Sequence, residues 1–110
     1  MPQLLVRGLA IEQMCQISES LVDQLATICQ CGTDNFMIEI IHTTSIFGGA
    51  VVTSYPFIEV AWFERGQEVR DQFARVLTEH VMSLGIAEVE IAFVTYQEDC
   101  YYINGVSCSK

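Results

Sequence analysis

A strand-helix-strand unit is written twice in this chain, and that repetition restricts its possible folds more than any other feature. Gln3 to Arg7 (QLLVR) reads as a short strand. After Gly8 the apolar positions Ile11, Met14, Cys15, Leu21, Val22, Leu25, Ile28 and Cys29 recur at helical spacing. The helix should stop near Cys31-Gly32, where glycine can adopt the left-handed capping conformation. Phe36 to His42 (FMIEIIH) is a second strand, parallel to the first through a right-handed crossover. The pattern then returns: Phe57 to Phe63 is a strand, Val69, Phe73, Val76, Leu77, Val81 and Leu84 mark a helix closed by Gly85, and Glu88 to Thr95 is a fourth strand. Between the units, residues 43–56 form a loop around Gly48-Gly49 with room for a short hairpin arm. The expectation is one α+β domain over residues 1–110, with repeat one at 2–42, repeat two at 57–95 and a C-terminal segment at 97–110. Its four-stranded mixed sheet carries both helices on one face.

The two faces of that sheet read differently. Phe36/Ile38/Ile40, Ile58/Val60/Trp62 and Val89/Ile91/Phe93 are wholly apolar and belong under the helices. The opposite sets, Met37/Glu39/Ile41, Phe57/Glu59/Ala61/Phe63 and Glu90/Ala92/Val94, each place one glutamate among apolar neighbours. Two helices cover one face of four strands, and a solvated second face is normally more polar than this. Self-association through it is expected; a half-exposed face with tolerated apolar groups is the alternative. In the tail, Tyr101-Tyr102-Ile103 precedes Asn104-Gly105, a dipeptide suited to a tight reverse turn.

At 110 residues and 51% apolar content the chain has material for a single core. Fourteen acidic residues against five basic ones give a net charge of −9, which repels nucleic acid and anionic membranes. The start lacks a secretory pattern and no apolar run approaches the ~20 residues of a spanning helix, so a cytoplasmic location is expected. Five cysteines form an odd set, expected as free thiols. The spacing of Cys29-Gln30-Cys31 is not that of a zinc or thioredoxin motif, so neither a metal nor another cofactor is expected.

Met1-Pro2 followed at once by an apolar strand, a duplicated β-α-β frame, Phe47-Gly48-Gly49 after the second strand and the Tyr/Asn-rich tail together resemble the tautomerase superfamily. The longer members, of the macrophage migration inhibitory factor type, share this plan. The nearest likeness is to an uncharacterised bacterial branch of small tautomerase-like proteins. The resemblance implies a homotrimer with inward-facing sheets, pockets between subunits, and an N-terminal proline as base or acid in each pocket. One departure stands out: the lysine that cytokine-type members carry just after the first helix is replaced by Cys31-Gly32-Thr33.

Removal of Met1 would leave Pro2 a free secondary amine. An exposed α-amino group titrates near ~8, and burial or nearby positive charge lowers that value toward neutrality. Such an amine can move a proton beside a carbonyl, and the resulting enolate needs a fixed donor or cation. If the repeats pack antiparallel with the first and third strands adjacent, Arg65 shares an edge with Pro2 while Arg7 lies at the far edge. Arg65 is therefore the candidate for holding a carboxylate or enolate, and its plain alternative is a surface arginine paired with Glu64 or Glu68. For Pro2 the alternative is an inert strand-start residue. Phe47, Tyr55 and Tyr102 are candidate pocket walls and Asn104 a candidate polar contact, although aromatics more often fill cores and Asn104 also suits its turn. Two readings result: a proton-transferring isomerase of a small carboxylic acid, or a non-catalytic trimeric scaffold that binds a metabolite or a protein partner.

Overall fold

The alternating apolar pattern of QLLVR and FIEVAWF makes two strands that lie side by side at the centre of the molecule. The computed structural model describes residues 2–109; Met1, with its expected removal, and Lys110 fall outside them. In chain order the elements are β1 (Gln3–Arg7), α1 (Ile11–Cys29), β2 (Met37–Ile41), β3 (Ser45–Phe47), β4 (Ala50–Val52), β5 (Phe57–Phe63), α2 (Gln67–Met82), β6 (Glu90–Tyr96), β7 (Tyr102–Ile103) and β8 (Val106–Ser107). The main sheet has the order β2-β1-β5-β6. Each repeat contributes a parallel pair, and β1 and β5 meet antiparallel with Gln3 opposite Ala61 and Arg7 opposite Phe57.

The helix-facing side is apolar as expected. Leu4, Val6, Ile58, Val60 and Trp62 are fully buried against Leu21, Leu25, Phe73, Leu77 and Val81 of the two helices. Phe36, Ile38, Ile40, Val89, Ile91 and Phe93 close the flanks of this core. Trp62 is its largest member and meets Phe93 at 4.8 Å and Phe73 at 5.2 Å between ring centroids. On the other face Leu5 lies between Glu39 and Glu59 in the register, while Met37, Ile41 and Val94 are exposed in the single chain.

The two helix ends differ from one another. Gly85 takes φ +87° and its N–H reaches the Met82 carbonyl at 3.0 Å, the expected glycine closure. At the end of α1 the left-handed residue is Gln30, φ 54°, and not Gly32, whose φ is −76°. The Gln30 N–H reaches the carbonyls of Ala26 and Thr27, and the Cys31 N–H reaches Ala26 at 3.0 Å, so the cap is complete before Gly32. The apolar stripe ends at Cys29, and polar Gln30 can point outward at that turn.

β2 begins at Met37, one residue later than the sequence pattern suggests, because Thr33–Asn35 form a 3-10 turn that Phe36 closes. β6 begins at Glu90, whose N–H bonds to the Pro56 carbonyl at 3.1 Å, and runs to Tyr96 opposite Phe63. Two small hairpins leave the body. β3–β4 turns on Gly48-Gly49, both with positive φ. β7–β8 turns on Asn104 (φ 50°) and Gly105 (φ 82°), as the Asn-Gly dipeptide requires. Among the described residues no helix is long and apolar enough to cross a membrane.

Candidate functional site

Pro2 continues β1 on its helix-facing side, so its ring is fully buried, and its carbonyl accepts the Met37 N–H at 3.2 Å. The antiparallel register that pairs Gln3 with Ala61 carries β5 past Pro2 to Glu64-Arg65. Pro2 and Arg65 thus lie at one end of the β1–β5 pair. Arg65 is half-buried: its guanidinium lies 5.2 Å from the Trp62 ring centroid, and Nη1 donates to the Phe63 carbonyl at 2.9 Å. Stacking fixes the plane of the guanidinium and leaves further N–H donors for a carboxylate.

The alternative for Arg65, a pair with Glu64 or Glu68, is not found among the described residues. One Glu64 oxygen accepts the N–H groups of Arg65 and Gly66, each at 3.0 Å, and the other pairs with the Arg70 guanidinium. The bond to Arg70, then those from the Gly66 and Arg65 N–H groups, hold the Glu64 carboxyl below its usual range. Among the described residues the ion pairs are Arg70–Glu64 and Arg75–Glu79, so Arg65 and Arg7 have no carboxylate within 4 Å. Nearby, burial pushes the Cys29 thiol up against the opposing pull of Arg65. Trp62 Nε1 is buried without a hydrogen-bond partner.

On the open face at this end, Tyr101 packs on Phe63 at 5.1 Å and on Tyr96 at 5.3 Å, with its hydroxyl 3.5 Å from Gln3 Nε2. Beside it lies a recess of about 260 Å³ lined by Gln3, Asp34, Asn35, Phe36, Met37 and Glu39. The other candidate residues lie elsewhere in the single chain. Phe47 is 80% exposed on the β3–β4 arm. Tyr55 lies at the opposite end of the β1–β5 pair, where the charge of Glu90 holds its phenol above the usual range. Tyr102, 62% exposed, and Asn104 belong to the β7–β8 hairpin.

The family described as Domain of unknown function (DUF1904) matches residues 1–107. The chain belongs to the DUF1904 family. A crystal structure of a DUF1904 domain from Sebaldella termitidis ATCC 33386 has 36% identity and a TM-score of 0.91, covering 97% of this chain and 99% of that one. A fused 4-OT solved as an asymmetric trimer has a TM-score of 0.83 at 15% identity, covering 97% and 96% of the two chains. The macrophage migration inhibitory factor-like protein from Entamoeba histolytica has a TM-score of 0.73 at 12% identity, covering 96% and 97%. The fold of this DUF1904 protein is therefore that of the tautomerase superfamily. No match is found among curated proteins.

Within one DUF1904 chain the residue at the Pro2 end that sequence reasoning overlooked is Tyr101. The signal was present, since Tyr101 and Tyr102 alternate sides in an extended segment and only one can turn toward Phe63. Which one does so depends on the path after β6, where Glu98–Cys100 form a 3-10 turn. Gln3 was passed over as an ordinary strand residue.

Proposed function

We propose that this DUF1904 protein is a tautomerase-like homotrimer in which Pro2, freed by removal of Met1, moves a proton on a small carboxylic acid. The observation that carries this reading is the placement at one end of the sheet of Pro2 and an arginine that has no ion pair among the described residues. In the enol-to-keto direction the substrate hydroxyl loses its proton, the adjacent carbon gains one, and composition is unchanged. A secondary amine at Pro2 can accept and return that proton. Arg65 neutralises the carboxylate or the developing enolate oxygen in a site that assembly shields from water. Support for assembly comes from the apolar open face and from the exposed Phe47, Tyr102 and Ile103 on the two hairpins. Phe47, Tyr55, Tyr102 and Asn104 then serve as pocket walls contributed between subunits.

A second reading rests on the full burial of the Pro2 ring, which suits a strand-start residue of a non-catalytic scaffold for a metabolite or a protein partner. The two readings separate experimentally. Light scattering should give about three times the chain mass in either case, and a stable monomer would remove both. Untagged protein of confirmed amino-terminal mass should ketonise phenylenolpyruvate faster than buffer. Arg65→Ala should slow this by an amount corresponding to about 2–4 kcal/mol, the worth of a charge-assisted contact in a dry site. Turnover at the buffer rate by processed protein across a panel of enol acids would leave the scaffold reading.

A further inference from the structure

The antiparallel β1–β5 pair makes two similar ends. At one, Pro2 precedes β1 and Arg65-Gly66 follows β5; at the other, Pro56 precedes β5, and Arg7 ends β1 with Gly8 directly after it. Gly66 at φ +92° and Gly8 at φ +87° turn both hand-overs in the same unusual backbone region. The Arg7 end opens into a groove of about 720 Å³, walled by Arg7, Thr43, Thr44, Ser54, Tyr55, Val51 and their neighbours. The Arg7 guanidinium rests 4.8 Å from the Phe57 ring centroid and has no ion pair among the described residues. Stacking of this kind fixes the plane of the group while leaving its N–H edge open to a planar carboxylate.

We propose that the Arg7 groove is a second, non-catalytic binding site for a small monocarboxylate with an apolar body. Arg7 holds the carboxylate, the Thr43, Thr44 and Ser54 hydroxyls supply further donors, and Ile46, Val51 and Phe57 receive the apolar part. Pro56 lies within the chain, so its nitrogen is an amide without basicity and the groove lacks the base available to Pro2. Acidic neighbours limit the ligand's charge. Glu59 lines a recess with Arg7, Leu5, Ile41 and Phe57, and the charge of Glu90 is felt at the Tyr55 phenol. These carboxylates oppose a dianion such as phosphate more than a single carboxylate. The proposal does not require Pro2 to be basic.

Benzoate is a suitable unreactive probe, with the backbone amides of Gly8, Thr44 and Tyr55 followed by nuclear magnetic resonance on the full chain. Titration should shift these signals saturably, and inorganic phosphate should not reproduce the effect. Arg7→Gln should weaken the response about tenfold or more, the loss expected for one charge-assisted contact. Arg7→Lys should retain part of it, and Arg65→Gln should leave it intact. The fluorescence of Trp62, the single tryptophan, reports the Arg65 end separately, so failure there leaves the outcome at Arg7 readable. Absence of saturable shifts in the wild-type protein would overturn the proposal even if Arg7→Gln does not fold. Equal shifts with phosphate would overturn the monocarboxylate assignment. Dissociation of the assembly by Arg7→Gln with benzoate binding unchanged would make Arg7 a subunit contact instead.

Discussion

The Pro2 end and the Pro56 end of the β1–β5 pair are built from the same parts, and their surroundings separate them. Arg65 lies half-buried on Trp62, a core residue, and is tied to the Phe63 carbonyl; Arg7 is exposed and stacks on half-buried Phe57. The glycines differ too. A Cβ at Gly8 would meet Pro56 Cα at 2.8 Å and the Tyr55 carbonyl at 2.9 Å, whereas one at Gly66 would meet nothing within 4 Å. Repeating a local strand-to-helix junction therefore does not repeat its chemistry. On the proposed reading, position in the chain decides which proline can carry a free amine; the layers packed around each end leave Arg65 half-buried and Arg7 exposed.

The sharpest contrast between the ends should appear in catalysis. One extra residue before Pro2 converts the amine to an amide and should lower enol-acid turnover about 10²–10⁴-fold, the usual worth of a positioned base. Pro56→Ala should leave the rate unchanged. Equal losses from both changes in a steady-state assay would mean that the ends are not functionally distinct.

Stability should divide the ends next. Trp62→Ala removes the largest core side chain and should cost about 3–5 kcal/mol in denaturant unfolding. Phe57→Ala at the other end should cost clearly less, because its ring is only half-buried. Replacing all five cysteines by alanine or serine should preserve the assembled mass.

A smaller difference should separate the glycines. Gly66→Ala should cost about 1–3 kcal/mol for its backbone conformation alone. Gly8→Ala should exceed that by a further ~1–3 kcal/mol, because the added methyl group also forces Pro56 aside. Equal melting temperatures for the two variants would show that the close approach to Pro56 relaxes freely.

The smallest effect concerns Glu64 beside Arg65. Its folded pKa is depressed below 4.5, chiefly by the bond to Arg70, so its contribution to stability is present above that value and fades as pH falls through the folded pKa. Glu64→Gln should therefore lower stability slightly at neutral pH, slightly because the pair is exposed, and converge with the wild type as pH falls, which flattens the acid side of the profile. An unchanged acid limb would show that the Arg70 pair contributes nothing measurable.

Much of the architecture was legible from periodicity. The strand sets Phe36/Ile38/Ile40, Ile58/Val60/Trp62 and Val89/Ile91/Phe93 all pack toward the helices, because alternation along an extended chain assigns faces unambiguously. The antiparallel placement that puts Arg65 at the same end of the sheet as Pro2 and sends Arg7 to the other was also legible, given two repeats sharing one sheet. The capping residue of α1 was not, because backbone bonds to Ala26 and Thr27 select Gln30 over the nearby glycine. Nor was the separation of Tyr55 from Pro2, or the choice of Tyr101 over Tyr102, since both lie in connections without a repeating pattern.

The sequence by itself determined the two β-α-β units, the buried face of each strand and the placement of Pro2 and Arg65 at one end of the sheet. Each follows from burying a periodic apolar pattern on a single sheet. Only the tertiary structure decided that Arg70 takes Glu64 and leaves Arg65 on Trp62, that Tyr101 closes the Pro2 end, and that a groove opens at Arg7. Those outcomes depend on which side chains converge from distant segments, and short loops and turns carry no periodic signal that specifies such convergence.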